Sequence, residues 1–157
     1  MLPFKYWVPV LSLILCSSIL IGSDVIYDET ADAHHEVSAA TANAEKAGKN
    51  VVLVFGANWC GDCHALHAQM HQPELASILD RNFVVVNIDL GRYDKNLDLA
   101  ERYHVPIKRG IPALAVLDSH GKLLYAMDQG QFADARHMSY ESIKLFFEKW
   151  RPRHQEN

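Results

Sequence analysis

Val51 to Phe55 is an unbroken apolar, largely β-branched run, and after three intervening residues the chain reads Trp59-Cys60-Gly61-Asp62-Cys63. Such a run predicts a central strand covered on both faces. The polar, helix-compatible segment that follows predicts a helix beginning at about Cys60, so two cysteines separated by two residues sit where a buried strand passes into a helix. That spacing closes a small disulfide ring. The helix N-terminus offers unpaired N–H groups and positive dipole potential to the first sulfur. Both effects favour the Cys60 thiolate, the form that attacks disulfides, while Cys63, one turn deeper, is placed to resolve a mixed disulfide. The bland alternatives are a structural disulfide or half of a zinc site. Paired zinc sites need a second Cys/Cys or His/His pair, and no second Cys pair exists in the chain.

The rest of the sequence supplies the frame. Asp32 reads as an N-cap, Ala33, Val37, Ala40, Ala44 and Ala47 form one apolar stripe, and Gly48 closes that helix. The helix from Cys60 turns Leu66 and Met70 inward and breaks near Gln72, and Pro73 opens a second segment with Leu75, Ile78 and Leu79 facing the core. Phe83 to Ile88 reads as another buried strand, Asp89 to Asn96 as a polar loop and Leu97 to Tyr103 as a short helix. Ala113–Leu117 and Leu123–Ala126 read as strands joined by the turn Asp118-Ser119-His120-Gly121. Ser139 caps a last helix that ends before Pro152, with Met138 and Ile143 at staple positions and Glu141 in the first turn. The expected fold class is α/β, a central mixed β-sheet flanked by helices with an N-terminal helical extension.

Composition excludes several functions. The 157 residues are 49% hydrophobic and 22% charged, which suits one globular domain rather than a disordered chain. A formal net charge of −4 with no Lys/Arg cluster speaks against nucleic acid as a partner. Three cysteines are too few for a disulfide scaffold. Residues 1–23 carry Lys5 as their one side-chain charge and are almost wholly apolar from Tyr6 to Gly22, which reads as a signal peptide or, if retained, a membrane anchor. Cys16 falls in that leader, where Leu15 argues against lipoprotein processing. The expected organisation is a leader at 1–23, a tether at 24–31, a domain at 32–152 and a tail at 153–157. The expected location is outside the cytoplasm, in a bacterial periplasm, anchored there if the leader stays.

Gly110-Ile111-Pro112 precedes the hairpin, and an X-Pro bond there can be cis, with the Ile111 N–H and C=O available to an extended peptide. With these residues in view, Ala33 to Trp150 resembles the thioredoxin superfamily. The resemblance is carried by Val51–Phe55, the segment Ala57 to Cys63, Asn87-Ile88-Asp89 and Gly110-Ile111-Pro112, and the split helix before Phe83 is similar to secreted bacterial thioredoxin-like proteins. It implies a thioredoxin fold, Cys60 as nucleophile, Cys63 as resolving cysteine and a cis Pro112 beside them. The chain departs from the family where a buried acid and a buried Lys are usual: Val54 and Val85 stand there. Losing both is consistent, since either charge alone is expensive to bury, but it leaves Cys63 without the customary proton acceptor. Asp62 is expected to raise the Cys60 pKa against the helix dipole and to bias the pair toward reduction, with His64 opposing it when protonated.

The sequence thus predicts an exported thiol–disulfide oxidoreductase acting on protein disulfides or dithiols. Trp59, Ile111 and Pro112 would contact the partner, no bound cofactor or metal is required, and a redox donor or acceptor, with a membrane-bound protein as one candidate, would recharge the pair. Two rival readings use the same residues. His64, His67 and His71 share a helical face and, with Cys60 and Cys63, suggest an exported copper or zinc carrier. Cys60-Gly61-Asp62-Cys63-His64 also spells a c-type haem attachment motif, against which stand the preceding strand and the α/β order.

Overall fold

The computed structural model describes residues 25–153. The leader expected at 1–23, with Cys16, and residues 154–157 of the expected tail lie outside the described residues. Eleven elements follow in order. Helix α1 (Ala33–Ala47) begins at Asp32, whose carboxylate accepts from His35 N–H, and ends at Gly48 in the left-handed region. Strand β1 (Asn50–Gly56) leads to α2 (Gly61–Met70), α3 (Pro73–Asn82) and β2 (Phe83–Asp89). Then come α4 (Leu97–Arg102), a 3₁₀ turn at Ile107–Arg109, β3 (Ala113–Leu117), β4 (Leu123–Ala126), a second 3₁₀ turn at Gln131–Asp134, and α5 (Tyr140–Lys149).

The strands form one mixed sheet in the order β2-β1-β3-β4, with β1 parallel to β2 and antiparallel to β3. Every residue of β1 is buried, as its unbroken apolar run requires, so helices cover both sheet faces. Helix α1 packs on β1 and β2, and α3 packs on β2 and α5. Phe83 meets Phe147 edge to face at 5.9 Å.

Two expectations change. Phe83 to Ile88 was expected to be buried throughout, but β2 is an edge strand: Val85 is 36% exposed while Val86 and Ile88 are buried. A continuous apolar run does not by itself distinguish a central from an edge position. Val54 is buried and Val85 is not, so the cost of burying a lone charge applies at Val54 but not at Val85. Of the stretch expected as a tether, 24–31, the described residues 25–31 are packed against the domain at Ile26 and Tyr27, the latter only 1% exposed. Large apolar side chains in that segment gain more from burial than from hanging in solvent.

Candidate active site

Strand β1 ends at Gly56 and delivers the loop Ala57-Asn58-Trp59 to the N-terminus of α2. Cys60 is the N-cap of α2, and its Sγ accepts the Cys63 N–H at 3.1 Å. Its carbonyl accepts from the N–H groups of Cys63 and His64. Cys60 and Cys63 are joined in a disulfide with 5.2 Å between their Cα atoms, Cys60 5% and Cys63 1% exposed. Cys60 is the less deeply buried of the two, set where the helix dipole and a backbone donor favour negative charge on its sulfur.

The loop before β3 faces this pair. Cys60 Sγ lies 3.5 Å from the Ile111 carbonyl oxygen, and the Ile111–Pro112 peptide is cis. Trp59 is half exposed, and its Nε1 donates to the Gly91 carbonyl at 2.7 Å. Tyr93, to which the sequence assigned no role, stands beside it with ring centroids 6.1 Å apart and is also exposed. Trp59 and Tyr93 together give the rim an apolar shoulder.

Asp62 is not a bare carboxylate. Arg136 donates to it from its backbone N–H and Nε, both to Oδ1, and from Nη2 to Oδ2 at 3.0 Å. These hydrogen bonds hold the Asp62 carboxyl below its ordinary range against the opposing effect of partial burial. The push of Asp62 on the Cys60 thiolate is thus offset by a guanidinium that the sequence reading did not find. Arg136 is brought there by the second 3₁₀ turn, anchored by Phe132, which is buried against Phe146 at 4.9 Å between centroids.

His64 is half-buried, and its Nε2 donates to the Asn58 carbonyl at 2.7 Å. That bond ties His64 to the active-site loop, while the rings of His67 and His71 sit 4.1 Å apart. Among the described residues no group of three or more His, Cys, Asp or Glu side chains is placed to hold a metal ion. In the haem reading His64 would have to serve as an iron ligand, but its Nε2 is engaged by Asn58.

Asn58 is the second residue that sequence reasoning missed. Its Oδ1 accepts from the N–H groups of Ile26 and Tyr27, and its Nδ2 donates to the Tyr27 carbonyl and to Glu29. This clamp ties the N-terminal segment to the active-site loop. Below the loop, Asp89 is buried, bridged to Lys95 at 3.1 Å and bonded to the Gly91 N–H. Asp89 stands opposite Gly56 across the β1–β2 pair.

A disulfide between residues i and i+3 at a helix N-terminus, on a four-stranded mixed sheet and facing an Ile-Pro loop, defines a thiol–disulfide oxidoreductase. A thioredoxin-like family model matches residues 32–119, and the chain belongs to that family. It is 32% identical over 92 residues to thioredoxin-1 of Drosophila yakuba, covering 59% of this chain and 73% of that protein. A disulphide isomerase structure from Xylella fastidiosa Temecula1 is 43% identical with a TM-score of 0.77, covering 80% of this chain and 96% of that one. The oxidised C-terminal domain of DsbD from Neisseria meningitidis shares the fold at 23% identity and a TM-score of 0.53, covering 77% of this chain and 97% of that domain.

Proposed function

We propose that the protein is an exported oxidoreductase that reduces disulfides in protein partners, with Cys60 entering and Cys63 resolving. The observation that carries this reading is the seat of Cys60 Sγ at the helix N-terminus, bonded by the Cys63 N–H and 3.5 Å from the Ile111 carbonyl oxygen. The Cys60 thiolate attacks one sulfur of the partner disulfide. The partner S–S bond breaks, and the leaving thiolate takes the electron pair and a proton. Cys63 then loses its proton and attacks Cys60 Sγ, which forms the Cys60–Cys63 bond and releases the second partner thiol. Two electrons pass from the pair to the partner, and a redox donor must return them.

Trp59 and Tyr93 form the partner-facing shoulder, and Ile111 offers its backbone to an extended peptide. A reducing direction is supported by the pairing of Arg136 with Asp62, which keeps that guanidinium from acting as a lone positive charge beside the Cys60 thiolate. Export is supported by the apolar leader with its lone Lys5. Pro112, Asp62 and His64 are assigned partner contact and charge balance around Cys60.

Cys63→Ser in the native compartment should accumulate mixed disulfides, and Cys60→Ser should lose exchange. The potential should lie near those of reducing pairs, about −230 mV or lower, whereas about −120 mV would mark an oxidant. No trapped partner, together with no disulfide reduction by the wild type, would remove the reading.

A further inference from the structure

The exchange chemistry above leaves the hydroxyl of the buried Tyr27 unused. The hydrogen bonds that fix this residue run through its backbone to Asn58, so the phenol is carried inward by the N-terminal segment. Gly56 shows where it arrives. A Cβ built on Gly56 would overlap the Tyr27 hydroxyl and lie 2.9 Å from Cys63 Sγ. The hydroxyl and the resolving sulfur therefore both border the space that Gly56 leaves by having no side chain, at most about 5 Å apart. Glycine at this strand end leaves the space between them open.

We propose that Tyr27 supports the resolving step by donating its O–H to the Cys63 sulfur as that sulfur becomes a thiolate, a task for which Val54 offers no polar group. This rests on the oxidoreductase reading and names the residue that stabilises its second nucleophile. A donated hydrogen bond favours the charged form of a buried group. The donor stays protonated, because burial first and the Asp89 charge second hold its hydroxyl above the ordinary phenol range. The other charged or titratable groups around Cys63 are Cys60 and His64 on its own helix, Asp62 paired with Arg136, and Asp89 paired with Lys95. Asp89 opposes a Cys63 thiolate, and Lys95 counters it. In resolution the Cys63 S–H loses its proton to solvent, Cys63 Sγ bonds to Cys60 Sγ, and the partner sulfur leaves with the electron pair and is protonated. Tyr27 keeps its own proton throughout.

The test uses reduced full-length protein and the aromatic disulfide 5,5′-dithiobis(2-nitrobenzoate), with the Cys60→Ser/Cys63→Ser chain subtracted to remove Cys16. Attack by Cys60 releases the first coloured thiol and resolution by Cys63 the second. Tyr27→Phe should leave the first phase unchanged and slow the second by about three- to tenfold at neutral pH, and its pH profile should move upward. The ¹³Cβ titration of Cys63 in Cys60→Ser should rise in the same direction when Tyr27→Phe is added. If the wild type releases no second thiol, the oxidoreductase reading itself fails. If it releases two and Tyr27→Phe matches it in second phase and titration, the role of Tyr27 is overturned and the reading stands. Should Tyr27→Phe fail to fold by circular dichroism, difluorotyrosine at position 27 should lower the Cys63 titration, and an unchanged titration overturns the proposal.

Discussion

Arg136 closes on Asp62 with three donors although 74 residues separate them in sequence, and the carboxylate they hold lies two residues from Cys60. Removing the guanidinium exposes the thiolate to an uncompensated negative charge. Arg136→Ala should therefore raise the Cys60 pKa by about half to one unit and slow its attack at neutral pH a few-fold. The pH profile of the first-phase reaction with an aromatic disulfide reads this directly. Asp62→Asn should move the profile the other way, and the double variant should return close to the wild type. An Arg136→Ala profile that overlays the wild type would show that the pair does not act on Cys60.

The same pair has an acid limit. The Asp62 carboxyl is held below its ordinary value in the folded chain by the Arg136 hydrogen bonds, so folding is favoured by the ionised form. That contribution is fully present above the unfolded value of about 4 and is lost as pH falls through the lowered folded value. The urea midpoints of wild type and Asp62→Asn should differ by a constant amount from neutrality down to about pH 4 and converge below it. A difference that instead widens on acidification would contradict the sign.

Asn58 makes a third case, a side chain that orders a segment remote in sequence. Asn58→Ala removes the partners of two N–H groups and a carbonyl at Ile26 and Tyr27. The loss should be about 1–3 kcal/mol in urea unfolding, because those backbone groups must then find water. Cleavage by an added protease ahead of α1 should become faster, with α1 to α5 remaining protected. Equal stability and an unchanged cleavage pattern would mean that the clamp contributes nothing.

What the chain disclosed before its structure was known divides by distance along the sequence. Asp32 bonding His35, Gly48 in a left-handed cap, Pro73 opening α3 and Ser139 accepting from Ser142 are all signals within a few residues, and each element boundary follows from them. The Cys60–Cys63 spacing behind an apolar strand is equally local. Arg136 on Asp62 and Asn58 on Tyr27 span 74 and 31 residues and leave no periodic trace. Tyr27 was read as part of a tether because the polar residues Asp24, Asp28, Glu29 and Thr30 around it look like linker. Its burial depends on the space that Gly56 leaves at the end of β1, which only the folded sheet creates. Val85 was misplaced for a related reason, since whether an apolar strand has one neighbour or two depends on topology.

Val54 and Val85 occupy the two positions where the wider superfamily keeps charges, and their environments predict opposite responses. Val54 is 3% exposed, with Asn87 and Leu114 as its cross-strand neighbours. An aspartate there would be buried between uncharged cross-strand neighbours, so Val54→Asp should cost about 3 kcal/mol or more at neutral pH. Burial raises the folded-state pKa of such an acid, so the penalty is smallest below the unfolded value of about 4 and grows as pH rises through it. Val85 is on the open edge, and Val85→Lys should change stability by no more than about 0.5 kcal/mol, since the ammonium stays in water. Urea unfolding of each variant at pH 4 and pH 7 separates the cases. If Val85→Lys proved as costly as Val54→Asp, the edge position of β2 would be wrong for the protein in solution.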